Sequence, residues 1–368
     1  MLNFENKNIA DLIELIRCAI KGEKPQSVFQ PDIEQLLLLA EKQQVYNLIL
    51  PVLKENGMLS DEEDGVWKNY YMSELEKTLI VNNEREKVCA DLDAKGVRYM
   101  FTKGLIIKDY YPRSMMRQMS DNDFLYDETQ WEELFAVMKK HGFYLDCSTD
   151  NGDDFVKEPF CRFEFHRKLF NKKDDFCPDF NPLENAVPAE NGSRLLMTRE
   201  DNYLYTLGHM YKHYHCKKGC GIRFVCDLYL LKTTDTDMDF DYIESTLESW
   251  GIKDFNETVL NLAFAVFENE KPSEKAQEML DTIFESGLYG APEDKDYSKE
   301  IKAHGGKLGY LFYRLFPPKS FMKDTYIQLE KKPYLLGYFY IYRLFTKYSR
   351  NKKEMKRDLN GIFKNRGK

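Results

Sequence analysis

The chain has 368 residues, a formal net charge of −8, 43% hydrophobic residues and 14% aromatic residues. This length allows two or three domains, and this apolar content excludes an intrinsically disordered chain. The negative charge disfavours a protein that coats nucleic acid with its whole surface, although it allows a local basic patch.

Targeting features predict a cytoplasmic protein that does not span a membrane. The longest apolar run, Tyr334 to Tyr342, is far shorter than the ~20 residues of a membrane span and fits a buried or amphipathic helix better. The N-terminus lacks a basic stretch followed by an apolar one, so no signal peptide is predicted. The 8 scattered cysteines are predicted to be reduced thiols.

Residues 1–95 are predicted to form an N-terminal helical region. Apolar residues recur at helical spacing from Ile9 to Ile20 and again from Ile33 to Leu53. A long charged helix is predicted from Glu63 to Lys95, where Gly96 ends it as a C-cap.

Residues 96–190 are predicted to form a core with a small mixed sheet. β-rich or alternating segments predict strands, and helical periodicity between them predicts helices. The predicted strands are Val97–Phe101, Asp121–Tyr126, Phe143–Leu145 and Cys161–Leu169; the helices are Leu105–Tyr111 and Glu128–His141; Thr102–Gly104 and Asn151–Asp154 are turns. The whole is an α+β fold, with helical regions flanking the sheet.

Residues 191–346 are predicted to be helical, and residues 347–368 form a basic tail. The candidate helices are Arg199–Tyr214, Ile222–Lys232, Asp241–Trp250, Phe255–Phe267 and Lys275–Ser286, followed by an aromatic-rich segment, Leu308–Lys347. The tail fits an RNA-binding arm and a solvated chain end equally well, and a membrane-surface role has no better support.

Two carboxylates two residues apart are the main functional signal. Side chains at i and i+2 of a strand share a face, so Asp121 and Asp123 are expected to project together, about 7 Å apart. A divalent cation would relieve their repulsion, and Mg²⁺ is commonly held by one or two carboxylates plus substrate phosphates. The upstream Lys103-Gly104 turn and Arg117 suit phosphate. Glu164, on a later strand, is the candidate third carboxylate.

Two further clusters have both functional and structural explanations. One contains residue types that bind Zn²⁺, but its spacing matches no familiar site. We therefore expect His209 and His213 to pack in or near the cleft wall, with His213 approaching the nucleotide as the alternative, and the cysteines to be ordinary small apolar residues. The members of this cluster are His209, His213, His215, Cys216 and Cys220. The other is the pair Arg223 and Asp227, which either stabilises its helix or places Arg223 over a phosphate.

Several motifs together resemble an uncharacterised nucleotidyltransferase family of the polymerase-beta-like superfamily, from about Val97 to about Arg343. The matching segments in the core are Tyr99 to Gly104, Tyr110-Tyr111-Pro112, Arg117, Asp121-Asn122-Asp123, His141-Gly142-Phe143 and Glu164-Phe165-His166. The later ones are His209, His213, Gly221-Ile222-Arg223, Asp227-Leu228, Phe316-Pro317, Pro333 and Arg343.

The resemblance implies transfer of a nucleoside monophosphate from a nucleoside triphosphate to an acceptor, which could be a protein, an RNA end or a small molecule. It assigns Mg²⁺ or Mn²⁺ to Asp121, Asp123 and Glu164, with Glu164 binding a second metal or serving as base. It assigns the nucleotide to Lys103, Gly104, Arg117, His166 and Arg223. Many relatives have Gly-Ser where this chain has Lys103-Gly104, so either Lys103 replaces the hydroxyl or nucleotide binding is weaker. A non-catalytic nucleotide-binding or interaction module is the alternative.

Overall fold

The computed structural model describes residues 2–4, 6–26, 29–119, 121–171, 174–190, 192–215, 219–287, 304–326 and 328–344. The predicted basic tail at 347–368 lies outside these residues. The fold is α+β, as predicted, and is organised around one mixed sheet of seven strands.

The sheet runs in the order β3-β4-β5-β2-β1-β7-β6. Its strands are β1 Tyr99–Phe101, β2 Asn122–Tyr126, β3 Tyr144–Ser148, β4 Gly152–Lys157, β5 Cys161–His166, β6 Val187–Pro188 and β7 Arg194–Leu196. β2 and β5 are parallel neighbours, as are β1 and β7, and the other pairs are antiparallel. The four strands predicted from sequence (β1, β2, β3 and β5) are confirmed, with shifted ends, whereas β4, β6 and β7 were not predicted.

The helices before the sheet are α1 Lys7–Lys21, α2 Ile33–Gln43, α3 Tyr46–Glu55 and α4 Asp61–Ala94. A capping box starts α4, in which the Ser60 and Glu63 side chains each bond the other's backbone. The single periodic stretch from Ile33 to Leu53 is two helices, because Gln44 adopts a left-handed conformation (φ 56°) and ends α2.

Among the described residues, two helices lie within the core segment, α5 Gly104–Ile107 and α6 Trp131–Lys140. The helices between the core and the aromatic-rich segment are α7 Arg199–His215, α8 Arg223–Thr234, α9 Phe240–Ser249, α10 Lys253–Phe267 and α11 Glu274–Ser286. The aromatic-rich segment contains helices Lys307–Leu315, Lys319–Thr325, Gln328–Lys331 and Leu336–Arg343. The predicted helix Leu105–Tyr111 is α-helical only as far as Ile107 and continues as a 3₁₀ turn, Lys108–Tyr110.

The predicted turn Asn151–Asp154 was wrong, because Gly152 begins β4. Asp153 is fully buried there, which its position in a turn-like sequence did not suggest. Its carboxylate accepts hydrogen bonds from Tyr126 Oη at 2.8 Å, Trp131 Nε1 at 3.1 Å and Arg167 Nη2 at 2.6 Å. These bonds replace hydration and let an acidic residue occupy the sheet interior.

The two faces of β2 and β5 have different roles. Phe124 and Phe165 stack at 4.4 Å between ring centroids, and this aromatic face packs against α4 and α6. Asp123 and Glu164 project from the opposite face, as the period of two requires. The sheet therefore presents carboxylates on one side while its other side forms a core.

The helices that precede and follow the sheet share one hydrophobic cluster, to which α1, α3, α7, α8 and α10 contribute. Lys21 of α1 also pairs with Glu268, just after α10, at 2.7 Å. The division of the chain after residues 95, 190 and 346 remains a prediction. Among the described residues, no helix is long and apolar enough to cross a membrane.

Candidate active site

A cleft of about 390 Å³ lies where β1 ends and β2 begins, between the sheet and helices α7 and α8. This volume is within the range of small-molecule sites, roughly 300–1,000 Å³. The predicted site residues that line it are Lys103, Gly104, Arg117, Asp121, Asp123, Glu164 and Arg223. The structure therefore brings together side chains that are far apart in sequence.

The carboxylates are adjacent because of strand register. Asp123 on β2 pairs directly with Glu164 on the parallel strand β5. Asp121 lies one residue before β2 and lines the same cleft. Among the described residues, potential ligand atoms of Asp123, Glu164 and His166 lie within 4.8 Å of one another, a group that excludes Asp121. His166 joins it because it follows Glu164 by two positions on the same strand face, a spacing that sequence analysis could have used.

Asp123 is held by two nitrogen donors. Lys103 Nζ lies 2.5 Å from Asp123 Oδ1, and His166 Nε2 lies 2.9 Å from the same oxygen. The Asp123 side chain is only 5% exposed, so these contacts take the place of hydration. Lys103 and His166, both predicted to bind nucleotide, thus contact the central carboxylate.

The backbone of Lys103 is unusual. Its φ of 50° and ψ of −126° place it in a region that non-glycine residues rarely adopt. Such a conformation costs of order 1–3 kcal/mol and persists only where surrounding structure imposes it. Here it directs the ammonium from the start of α5 onto Asp123.

The pKa values of the two adjacent carboxyl groups, Asp123 and Glu164, are shifted in opposite directions. Burial opposes ionisation of Asp123, but Lys103 and His166 outweigh it and hold the pKa of Asp123 well below its ordinary value. Burial, reinforced by the charges of Asp123 and Asp121, raises the pKa of Glu164 to about 8. Near neutral pH, Glu164 therefore holds a proton while Asp123 remains ionised.

Replacing Glu164 with Gln is expected to remove a pH dependence of stability. In the folded protein the Glu164 carboxyl keeps its proton up to about pH 8. In the unfolded chain the same carboxyl loses its proton above the ordinary pKa of 4.5. The free energy of unfolding therefore falls as pH rises between these values. At pH 8.5 the variant should exceed the wild type by about 1–3 kcal/mol, and at pH 4 the two should be similar. Urea unfolding across this range measures the difference.

Glu158→Gln is the matched control, because Glu158 lies exposed in the turn between β4 and β5. It should keep the wild-type dependence. A Glu164→Gln protein whose stability relative to wild type does not change with pH would show that burial does not perturb Glu164.

Asp227 has a different partner from the one that helix spacing suggested. Its two oxygens accept hydrogen bonds from Arg117 Nε and Nη2 at 2.8 and 2.7 Å, and one of them also accepts from Tyr111 Oη at 2.8 Å. Arg223, the i−4 neighbour of Asp227, donates instead to the Gln118 carbonyl at 2.7 Å. Of the two explanations for Arg223 and Asp227, the helix-stabilising pair is therefore wrong, and a position of Arg223 over a phosphate stays a prediction. The pair of Arg117 with Asp227 joins positions 110 residues apart, which no local pattern indicates.

Gly104 allows Arg117 to lie against the start of α5. A Cβ at position 104 would lie 2.4 Å from Arg117 Nη1 and 2.8 Å from Met119 Sδ. The arginine and the short helix can therefore form one continuous cleft floor only if residue 104 lacks a side chain.

Gly104→Ala is expected to lower the free energy of unfolding by about 1–3 kcal/mol, because Arg117 must leave its bidentate partner or α5 must shift. Thermal or urea unfolding measures this loss. Gly65→Ala is the control, since Gly65 lies exposed within α4 and a Cβ there meets nothing within 4 Å. It should be neutral or stabilise by up to about 1 kcal/mol. Equal effects at the two positions would contradict this explanation.

The histidine and cysteine cluster does not form a metal site among the described residues. His209 and His213 line the cleft beside Phe224, as expected for wall residues. Burial, assisted by the charge of Lys103, lowers the pKa of His209 well below its ordinary value. His215 packs instead against Phe255. Cys220 is buried, and the predicted position of Cys216 lies outside the described residues.

The donor chemistry of the cleft fits a hard divalent cation. Asp121, Asp123 and Glu164 offer carboxylate oxygens, which suit Mg²⁺ and Mn²⁺. His166 is positioned to orient Asp123 through its hydrogen bond, as groups behind metal ligands commonly do.

Comparison with solved structures gives two weak similarities, both to the protein ANT(2'')-Ia. The chain in the solution structure of this antibiotic-resistance factor is 14% identical to this one, with a TM-score of 0.37. The alignment covers 49% of this chain and 95% of the ANT(2'')-Ia chain. The chain in its crystal structure in complex with adenylyl-2''-tobramycin is also 14% identical to this one, with a TM-score of 0.35. That alignment covers 48% of this chain and 97% of the ANT(2'')-Ia chain. These scores are too low to carry a functional argument.

A search of curated proteins gives no significant match. The profile of the family described as "Uncharacterised nucleotidyltransferase" matches residues 30–268, which include the whole cleft. The chain belongs to this uncharacterised nucleotidyltransferase family and is a nucleotidyltransferase.

Proposed function

We propose that the protein moves a nucleoside monophosphate from a nucleoside triphosphate to an acceptor hydroxyl, and that this reaction depends on Mg²⁺ or Mn²⁺. The carrying observation is the pairing of Asp123 with Glu164 on neighbouring parallel strands, at the floor of a cleft bordered by basic side chains. Two carboxyls with such different pKa values suit a site that holds a cation with one and accepts a proton with the other.

In the proposed site, Asp121 and Asp123 hold the cation, with Glu164 beside it. When bound, the cation would neutralise phosphate charge and polarise the α-phosphate. His166 keeps the Asp123 carboxylate oriented through its 2.9 Å contact. The ionised state of Asp123 favours cation binding without prior loss of a proton.

The transfer step is an in-line displacement at the α-phosphorus. The acceptor oxygen forms a bond to this phosphorus, the bond to the bridging oxygen of the β-phosphate breaks, and pyrophosphate leaves. The proton of the acceptor hydroxyl passes to the ionised form of Glu164, and the raised pKa of about 8 makes that carboxylate a stronger base than an ordinary one.

Basic groups along the cleft are proposed to bind the triphosphate. Lys103 and Arg223 border the cleft, and Arg117 Nη1 lies at the start of α5 beside Gly104. The bidentate pair with Asp227 fixes the direction of the Arg117 guanidinium, which lowers the entropy lost when a phosphate binds.

The experiment is to incubate the protein with each of the four α-labelled nucleoside triphosphates and Mg²⁺ or Mn²⁺. Separate reactions contain pools of protein, RNA and small metabolites from cells. Label should enter one pool, which identifies the acceptor class, and a chelator should prevent its incorporation. No label in any pool, or equal labelling by an Asp121→Ala/Asp123→Ala double variant, would refute the proposal.

A further inference from the structure

The ammonium of Lys103 occupies a position beside Asp123 that the proposed metal ion would also need, and the two cations cannot occupy it together. Lys103 Nζ lies 2.5 Å from Asp123 Oδ1, the oxygen that also receives His166 Nε2 at 2.9 Å. Asp121 and Glu164 are near enough to interact with the same ammonium. The positive charge therefore stands among the three carboxyls that are proposed to serve the cation.

The contact is built into the fold at a cost. Lys103 adopts φ 50° and ψ −126°, in a region that favours glycine. The side chains of Lys103 and Asp123 are 20% and 5% exposed, and Tyr205 on α7 is near enough to interact with the Lys103 ammonium. A strained backbone that delivers an ammonium to a buried carboxylate indicates a specific task for that ammonium.

A bound divalent cation at Asp123 would repel the ammonium and compete for the same oxygen lone pairs. A lysine can respond without backbone movement, because its four-carbon stem is flexible and its three N–H groups can move to another acceptor. The oxygens of a triphosphate, which would enter the same cleft, are such acceptors.

We infer that Lys103 acts as an internal cation, which neutralises Asp123 before substrate binds and transfers to the triphosphate when the metal–nucleotide enters. This inference rests on the proposed function for the identity of the substrate. It predicts that metal alone binds weakly, because it must displace Lys103 without a phosphate to receive it.

The test measures binding and not turnover. Mn²⁺ binding is followed by electron paramagnetic resonance in the full-length wild type, Lys103→Gly and Lys103→Met. Glycine suits the positive φ, so Lys103→Gly should fold, and Lys103→Met preserves most of the stem. Both variants should bind Mn²⁺ alone about tenfold more tightly, because the competing charge is gone. Both should bind inorganic tripolyphosphate in the presence of Mn²⁺ about tenfold more weakly.

Arg162→Met controls for the loss of a nearby positive charge, since Arg162 Nε lies 3.9 Å from Glu164 and its side chain is 38% exposed. It should change Mn²⁺ affinity by less than about threefold. Butylammonium, which resembles the missing side chain, should weaken Mn²⁺ binding in Lys103→Gly but not in the wild type.

Unchanged or weaker Mn²⁺ binding in both Lys103 variants would overturn the inference, and so would an equal gain in Arg162→Met. A wild type that shows the predicted binding but transfers no nucleotide would refute the proposed function and leave the inference intact. If the variants still transfer nucleotide and bind Mn²⁺ with unaltered affinity, the inference is refuted and the proposed function stands.

Discussion

Asp123→Asn is expected to lower the rate of nucleotidyl transfer by about a thousandfold or more, comparable to the loss of a principal electrostatic group in other enzymes. The amide retains the shape of the side chain but removes the charge that pairs with Lys103 and would bind the cation. The measurement is the initial rate of α-label incorporation at saturating nucleotide and metal. Near-UV circular dichroism would verify that the variant remains folded.

Asp150→Asn is the matched control, because Asp150 is exposed in the segment between β3 and β4 and does not line the cleft. It should transfer at the wild-type rate. If Asp123→Asn retained more than about a tenth of the activity, Asp123 could not be a principal metal-binding group.

Arg117→Met is expected to lower the free energy of unfolding by about 3–5 kcal/mol, the range observed when one partner of a buried ion pair is removed. Arg117 and Asp227 side chains are 7% and 1% exposed, so the variant would leave a carboxylate uncompensated between the cleft and α8. Urea unfolding at neutral pH measures the loss.

Two variants make this prediction specific. Arg113→Met removes an ion pair with Glu55 whose side chains are 66% and 65% exposed, so its effect should be at most about 1 kcal/mol. The double variant Arg117→Met/Asp227→Leu should recover part of the stability, because no uncompensated charge remains. A loss in Arg117→Met no larger than that in Arg113→Met would contradict the energetic role of the buried pair.

Local patterns were sufficient to predict most helices and the strands that surround the carboxylates. The spacing of apolar residues predicted α1, and Gly96 marked the end of α4 to within two residues. β4 was missed because its first residues have turn-like composition. The hydrogen bonds that stabilise the buried Asp153 carboxylate come from Tyr126 and Trp131, which are distant in sequence. Tertiary partners decided that segment, and a single sequence does not display them.

The residues of the cleft were easier to predict than their partners. Asp121, Asp123 and Glu164 were proposed from their chemistry, and the cleft contains all three. Their adjacency depends on the parallel pairing of β2 with β5, which strand prediction alone does not specify. The expected contact of Lys103 with phosphate stays a prediction. Its contact with Asp123 was not foreseen, because the positive φ of Lys103 that directs the side chain is not visible in residue types.

The cleft is lined by side chains from both the sheet and the helices that follow it. Asp123 and Glu164 come from the sheet, whereas His209 and Arg223 come from α7 and α8. The pair formed by Arg117 and Asp227 joins the loop before β2 to α8. Carboxyl groups from the sheet and basic groups from the helices are thus held in one geometry by buried polar contacts.

The most direct test of the central claim follows two labels in one reaction. The protein is incubated with a nucleoside triphosphate labelled at the α-phosphorus or at the γ-phosphorus, together with the acceptor identified by the pool experiment. Nucleotidyl transfer predicts that α-label enters the acceptor while γ-label is released as pyrophosphate, in equal amounts. Entry of γ-label into the acceptor, or its release as orthophosphate without α-label transfer, would contradict the account.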